Sequence, residues 1–282
     1  MNQSLKRLAY PYLLWIFIMI VVPFFLVFLY SITSNKGGSS ATFKFTLDHY
    51  IAFFSSTNFN ILSKSILLAV QTTVLCLLFG FPVAWIISKI HIRMQNVLIL
   101  FFILPMWINM LLRTYAWQII LGRSGILNYL FSLIGVTFNG ILYTDAAVLI
   151  GMVYNFIPFM VLPIYTTLIK IDDDLIEAAS DLGASTKEIF LKIIFPLSIP
   201  GVVTGIIMVF LPAVSSFAIP RLLGGGDYIL IGNLIEKQFF LLGNWNFGSA
   251  ISVILMIIII LSMKFMKKSD EYKSKGGGTL PW

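Results

Sequence analysis

Long apolar stretches that are nearly free of ionisable residues recur along the chain, separated by short polar segments. A helix that crosses the hydrocarbon core of a membrane needs about 20 predominantly apolar residues. Seven stretches approach or exceed that length, at residues 8–35, 65–88, 94–112, 124–144, 146–169, 189–220 and 238–263. The pattern therefore predicts a chain of membrane-spanning helices.

The fourth stretch, 124–144, differs from the others because it holds glycines, asparagines and hydroxyl residues that a lipid-facing helix disfavours. It is predicted to be an extracytoplasmic loop that carries a short amphipathic helix near residues 126–134. Six spans remain, at about residues 10–32, 65–88, 96–118, 146–169, 198–219 and 245–263. The predicted fold class is an all-α polytopic membrane protein with six transmembrane helices.

The composition agrees with a membrane protein and excludes other classes. Of the 282 residues 59% are apolar and 11% are charged, whereas soluble domains have roughly 45–50% apolar and about 25% charged residues. The net charge of +7 reflects orientation rather than nucleic-acid binding. Of the 19 lysines and arginines, 12 fall on the side of the two termini and 7 on the other, which predicts that both termini are cytoplasmic.

The predicted spans also divide the chain. Residues 1–9 are predicted to form a cytoplasmic N-terminus, 10–265 the transmembrane domain and 266–282 a flexible cytoplasmic tail. The first apolar run is too long for the core of a signal peptide, and no small-residue cleavage site follows it. It is therefore interpreted as a retained first helix.

The only long cytoplasmic segment, 170–197, is predicted to be a helix–turn–helix. Aspartates 172–174 suit a helix N-terminus, and Gly183 ends that helix in a left-handed conformation. Ser185 and Glu188 have the spacing of a capping box that opens a second helix, which Pro196 is expected to stop.

The first helix of this hairpin is expected to expose Glu177, Ala178, Ala179 and Asp181. Two adjacent alanines give a shallow surface that a partner can approach closely, with a carboxylate beside it. The alternative is a solvated hairpin with no partner. We favour docking, because no other segment on this side is large enough to meet a soluble protein.

The same residues resemble the EAA loop of the permease subunits of bacterial ABC importers, whose pattern is EAA-x3-G-x9-I-x-L-P. Glu177-Ala178-Ala179, Gly183, Ile193 and Pro196 match it, and Phe195 departs from it where leucine is usual. The resemblance implies the type I ABC importer permease fold. It also implies that Glu177, Ala178, Ala179 and Gly183, with Asp181 beside them, belong to a coupling helix that seats in an ATP-binding subunit.

Further segments look like the permeases of spermidine/putrescine importers, although permeases for ferric ion, sulfate and other organic cations share the architecture. These segments are residues 45–50, 158–163, 230–233 and 244–248. The resemblance implies a polyamine substrate, a second permease subunit, two ATP-binding subunits and an extracytoplasmic polyamine-binding protein. That protein would deliver substrate to loops 33–64, 119–145 and 220–244.

The chain is predicted to be a transport subunit and not an enzyme. No Gly-x4-Gly-Lys-[Ser/Thr] phosphate loop occurs in it, so ATP and magnesium are expected on the partner ATPase and no cofactor in this chain. No metal site is expected, since His49 and His91 fall on opposite sides of the membrane. An ion-driven secondary transporter is the rival, but the predicted spans contain no carboxylate.

Polar and aromatic residues inside the spans are candidates for the substrate path. They are Trp107, Asn109, Tyr115 and Trp117 in the third span, Tyr154 and Asn155 in the fourth, and Ser215 and Ser216 in the fifth. Aromatic faces hold ammonium groups, but tryptophan and tyrosine near span ends also form interfacial belts. Arg113, the one deep charge, is expected to snorkel to the outer surface. Gly201 and Gly205 are expected to pack helices closely.

Overall fold

The computed structural model describes residues 11–12, 14–34, 44–133 and 140–275, and almost all of them are helical. The helices are α1 (Leu14–Ser31), α2 (Asp48–Phe53), α3 (Ser56–Lys89), α4 (Ile92–Trp107), α5 (Met110–Leu121), α6 (Ile126–Leu133), α7 (Asp145–Leu168), α8 (Asp173–Asp181), α9 (Thr186–Ser215), α10 (Ala218–Leu223), α11 (Ile231–Glu236) and α12 (Trp245–Lys275). Strands β1 (Thr33–Ser34) and β2 (Lys44–Phe45) pair antiparallel. The all-α class is confirmed.

Five of these helices, α1, α3, α7, α9 and α12, are long and apolar enough to cross a membrane. Helix α4 and the segment Met110–Leu130 pass the same test together but meet at an angle of 95°. The predicted six spans are reached when this bent pair is one span. The short helix predicted near 126–134 is present as α6.

The third span is not the continuous helix predicted over 96–118. It breaks at Ile108, whose backbone is extended, and Asn109. The side chain of Asn109 accepts hydrogen bonds from the backbone N–H groups of Leu111 at 2.8 Å and Leu112 at 3.4 Å. A side chain that caps a new helix competes with continuation of the old one, which hydropathy alone cannot reveal.

Other predicted boundaries also shift. Helix α3 begins at Ser56 rather than residue 65, and α9 ends at Ser215 rather than 219. Helix α12 continues to Lys275, beyond the predicted end of the membrane domain at residue 265. The predicted N-terminal segment 1–9 and the last part of the predicted tail, 276–282, lie outside the described residues.

The expectation that Pro196 stops a helix is wrong, since α9 runs through it from Thr186. A wider π turn over Phe190–Ile194 immediately precedes the proline. Proline clashes with the carbonyl four residues before it, and the widened turn contains that carbonyl. The same arrangement occurs in α1, where a π turn over Phe17–Val21 precedes Pro23. In both cases the helix continues through the proline rather than ending at it.

The described residues divide into two compact units, one within 1–61 and 234–260 and the other within 62–233 and 261–282. In the first unit the start of α12 is tied to the end of α1. The Asn246 amide donates to the carbonyls of Tyr30 at 3.0 Å and Thr33 at 2.6 Å. The Trp245 ring also lies beside the Tyr30 ring, with centroids 6.4 Å apart. Trp245 and Asn246, two of the residues that carried the family resemblance, thus serve this junction.

In the second unit the main packing is between α7 and α9, and small residues permit it. A Cβ atom added at Gly201 would lie 2.5 Å from Thr167 Oγ1, and one at Gly205 would lie 2.7 Å from Met160 Sδ. Gly80 of α3 is similarly close to Met160, at 3.1 Å. The close packing predicted for Gly201 and Gly205 is therefore confirmed, and α7 lies between α3 and α9.

We expect cysteine labelling to report the topology directly, because the native Cys76 is fully buried and gives no background. Leu130 of α6 is 51% exposed, and Leu130→Cys should react with an impermeant maleimide added outside intact cells. Lys187→Cys should react only in inside-out vesicles. The reverse pattern, or protection of residue 130 from both sides, would contradict the six-span arrangement.

Candidate functional site

The segment between α7 and α9 forms the predicted helical hairpin. The Asp172 carboxylate caps α8 by accepting from the backbone N–H of Asp174 at 3.1 Å. Gly183 has φ of +84° and turns the chain after α8. Ser185 and Glu188 form the reciprocal capping box that opens α9. These local predictions are confirmed, because each depends on residues close together in sequence.

Helix α8 contains no buried residue. The side chains of Glu177, Ala178 and Asp181 are exposed, and Ala179 is half-buried. Two leucines that are not among the predicted docking residues are also exposed: Leu182 by 89% and Leu175 by 45%. They are seven residues apart, a spacing that places side chains on one helix face and that could have revealed them. An exposed apolar face beside two alanines suits contact with another protein.

The hairpin is fastened to α3 at two points. Lys89, the last residue of α3, forms a 3.0 Å ion pair with Asp173 at the start of α8. Rings from α3 and the first part of α9 also pack together. The centroids of Trp85 and Phe190 are 4.9 Å apart, and those of Phe81 and Phe195 are 5.8 Å apart. Phe195 belongs to this aromatic cluster, and its ring contacts explain why phenylalanine stands where the family pattern has leucine.

A buried polar network reinforces the same end of the second unit. The Tyr165 hydroxyl of α7 donates to Gln95 Oε1 of α4 at 2.9 Å. The Gln95 amide donates in turn to the carbonyls of Ser88 at 3.1 Å and Ile90 at 2.7 Å, at the end of α3. One glutamine thus satisfies carbonyls that the helix end leaves free and connects three helices.

Among the predicted path residues, the structure brings Trp117 and Tyr154 together. Their rings form an edge-to-face pair with centroids 5.1 Å apart. The Arg113 guanidinium lies over the Tyr154 ring, with Cζ 5.7 Å from the centroid. A cation therefore already occupies one face of this aromatic pair.

Arg113 does not snorkel as expected. Its Nη1 donates to the Pro105 carbonyl at 2.6 Å, across the break between α4 and α5. The carbonyls at the end of α4 carry the negative end of its dipole, so a guanidinium is a fitting partner there. The arginine secures the bend of the third span.

The other path candidates are placed differently. Trp107 is 77% exposed and Tyr115 is 50% exposed, Asn109 is the helix cap described above, and the Ser215 hydroxyl donates to the Leu211 carbonyl at 3.1 Å. Asn155 is buried and donates to the Gly151 carbonyl at 2.8 Å. Within the described residues, Asn155 Oδ1 and the hydroxyl of buried Ser216 have no hydrogen-bond partner. Such groups cost roughly 1–3 kcal/mol when unpaired, and both can accept from a ligand N–H.

Ligand groups for a metal ion do not assemble within the described part of the chain, where no three His, Cys, Asp or Glu side chains converge. His49 instead lies beside the Thr33 carbonyl at 3.2 Å. His91 caps α4 through its ring nitrogen, which accepts from the Arg93 backbone at 3.4 Å.

Residues 76–269 match the family described as binding-protein-dependent transport system inner membrane component. The chain is 37% identical over 249 residues to the spermidine/putrescine transport system permease protein PotB of Haemophilus influenzae, covering 88% of this chain and 87% of that protein.

Two solved structures share the fold at 17% identity. One is a bacterial ABC transporter involved in the import of the acidic polysaccharide alginate, with a TM-score of 0.77 and coverage of 95% of each chain. The other is a bacterial alginate ABC transporter in complex with an alginate pentasaccharide-bound periplasmic protein, with a TM-score of 0.71 and coverage of 93% of this chain and 92% of that one.

Proposed function

This chain belongs to the family of binding-protein-dependent transport system inner membrane components, and on that basis we propose that it carries polyamines such as spermidine and putrescine. It is a multi-pass inner-membrane permease subunit of an ABC importer, and ATP hydrolysis belongs to a separate subunit. The observation that carries the substrate proposal is the 37% identity, over 88% of the chain, to a spermidine/putrescine permease.

The proposed assembly contains a second, similar permease subunit, two ATP-binding subunits that hold ATP and magnesium, and an extracytoplasmic polyamine-binding protein. Both termini are cytoplasmic in this arrangement, and residues 10–265 form the membrane domain. The excess of lysine and arginine on the side of the termini supports that orientation. The description of the family as dependent on a binding protein supports the extracytoplasmic partner.

The proposed coupling site is helix α8, where Glu177, Ala178, Ala179 and Asp181 meet the ATP-binding subunit and Gly183 sets the turn. The exposed Leu182 supplies the apolar contact that a docking helix needs. Movement of α8 reaches the membrane through the Lys89–Asp173 ion pair and the aromatic cluster, both of which end on α3. Docking and transport are thereby connected by contacts within a single unit.

The proposed substrate path includes Trp107, Asn109, Tyr115, Tyr154, Asn155, Ser215 and Ser216, with Trp117 beside Tyr154. Polyamines carry ammonium groups on short methylene spacers, so they suit aromatic faces combined with neutral oxygen acceptors. The Tyr154 ring already holds a guanidinium, and the unpaired oxygens of Asn155 and Ser216 are acceptors of the required kind. Several weak contacts along the path let the substrate pass through, whereas one tight site would retain it.

The substrate class can be tested by ATP hydrolysis of the reconstituted assembly with its binding protein. We expect spermidine or putrescine to stimulate hydrolysis severalfold, because a loaded binding protein signals through the permease to α8. Sulfate, ferric ion and maltose serve as controls. Stimulation by one of these, without stimulation by a polyamine, would assign a different solute to the same permease fold.

The coupling site can be tested by Gly183→Val, with Gly226→Val as the matched control. Neither glycine has a heavy atom within 4 Å of an added Cβ, but only Gly183 has a positive φ. Valine in a left-handed conformation costs about 1–2 kcal/mol, so the hairpin should be misdirected. We expect Gly183→Val, and likewise Leu182→Asp or Glu177→Lys, to reduce co-purification of the ATP-binding subunit. Undiminished recovery with all three variants would refute the docking role.

The aromatic pair can be tested by Tyr154→Leu and Trp117→Leu, with Tyr154→Phe as the control that retains the ring. Loss of one cation–π contact corresponds to a rate change of roughly 2- to 30-fold. We expect the leucine variants to lower maximal uptake of radiolabelled spermidine in that range, with little change in half-saturation, since the binding protein sets affinity. Equal uptake by the Leu and Phe variants at Tyr154 would contradict a contact with the substrate.

A further inference from the structure

Three residues that are far apart in sequence meet at the end of the second unit opposite to the hairpin. Lys64 belongs to α3, Asp145 is the first residue of α7, and Tyr228 lies between α10 and α11. Lys64 Nζ is 2.9 Å from Asp145 Oδ1 and 4.1 Å from the centroid of the Tyr228 ring. The Tyr228 hydroxyl donates to the same carboxylate oxygen at 2.5 Å.

This arrangement has the parts of an ammonium-binding site. The Asp145 carboxylate supplies the opposite charge, and the Tyr228 ring supplies an aromatic face. Burial and the adjacent carboxylate raise the pKa of the Tyr228 phenol, so its hydroxyl stays protonated and orients Asp145. The occupant in this structure is the protein's own ammonium group, that of Lys64.

The occupant is replaceable. The side chains of Lys64 and Asp145 are 46% and 68% exposed, so both are accessible from solvent. Exposed ion pairs of this kind are weak, because water screens the charges and the lysine side chain loses rotamer freedom when it is held. A second ammonium group can therefore compete with Lys64 for the same carboxylate and ring.

The position of the three residues is where a substrate arrives. Helix α7 starts at Asp145 and leads to the hairpin at its other end, so the site lies at the end of α7 remote from the proposed ATPase contact. Each of the three loops predicted to receive the binding protein contributes one residue: Lys64 from 33–64, Asp145 from 119–145 and Tyr228 from 220–244.

We propose that Asp145 and Tyr228 form a reception site for an ammonium group of the substrate, and that Lys64 is its displaceable internal occupant. This inference rests on the proposed function, since it requires a cationic amine as substrate. An arriving ammonium group takes the place of Lys64 Nζ against the carboxylate and the ring. Once displaced, the positively charged Lys64 side chain repels the remaining ammonium groups of the substrate and drives them inwards.

The test relies on variants that are expected to change the apparent Kd for spermidine in opposite directions. The assembly is placed in lipid nanodiscs without the binding protein and titrated with radiolabelled spermidine. Lys64→Gln removes the competitor and should lower the apparent Kd at least threefold, whereas Asp145→Asn and Tyr228→Leu should raise it at least threefold. Lys64→Arg retains a cationic occupant and should remain within twofold of the wild type.

A purely structural ion pair predicts a different result, because Lys64→Gln and Asp145→Asn break it equally. Weaker binding in both variants, or no change in either, would overturn the proposal. If the wild type binds below detection, Lys64→Gln should bring binding into range, and failure to do so also overturns it. Stimulation of ATP hydrolysis by the spermidine-loaded binding protein in the wild type is measured alongside. Its absence would reject the polyamine function itself, and its presence with unaltered Kd values would reject only the reception site.

Discussion

Lipid offers no hydrogen-bond partners, so every interruption of a membrane helix must be closed by groups of the protein itself. The third span illustrates the requirement most clearly. The break leaves backbone N–H groups unpaired at the start of α5 and backbone carbonyls unpaired at the end of α4. The Asn109 side chain accepts from these N–H groups, and Arg113 donates to the Pro105 carbonyl. Pro23 of α1 and Pro196 of α9 each follow a widened turn rather than a break. At each of these positions, a side-chain hydrogen bond or a widened turn compensates for the departure from the regular helix.

Helix α3 connects the two ends of the second unit. Its lysines at 64 and 89 are separated by about 37 Å along the helix, and each forms an ion pair with an aspartate at a helix N-terminus, Asp145 of α7 and Asp173 of α8. Between these ends, Gly80 allows α3 to pack closely against α7. Gly201 and Gly205 allow α9 to pack closely against α7 as well. Contacts this close, between α3 and α7 and between α7 and α9, leave little free volume at those two interfaces to absorb a displacement.

The sequence was most informative where structure is local. The caps at Asp172, Gly183 and Ser185 depend on neighbours within a few residues, and the apolar stretches depend on composition alone, so both were predictable. Hydropathy could not reveal the break at Asn109, because one polar residue hardly alters the average over a span. It also could not pair Arg113 or Trp117 with Tyr154, or Lys64 with Asp145 and Tyr228, since helix packing brings these residues together. The helix does not end at Pro196, because the rule that proline stops a helix assumes a regular α-helix and a π turn precedes this proline. Most of the fold was predictable, and only the hairpin part of the candidate site.

The bend of the third span has a consequence for biogenesis. Helix α4 has 16 residues and α5 has 12, lengths of about 24 and 18 Å, and each is shorter than the roughly 30 Å hydrocarbon core. The pair also carries Arg113, whose aromatic partner Tyr154 emerges from the ribosome 41 residues later. At about 5–20 residues per second, that interval lasts roughly 2–8 s. During it Arg113 can already bond to the Pro105 carbonyl, but it lacks the Tyr154 ring. We therefore expect the third span to reach its final packing only after the fourth has been made, so that the two integrate together.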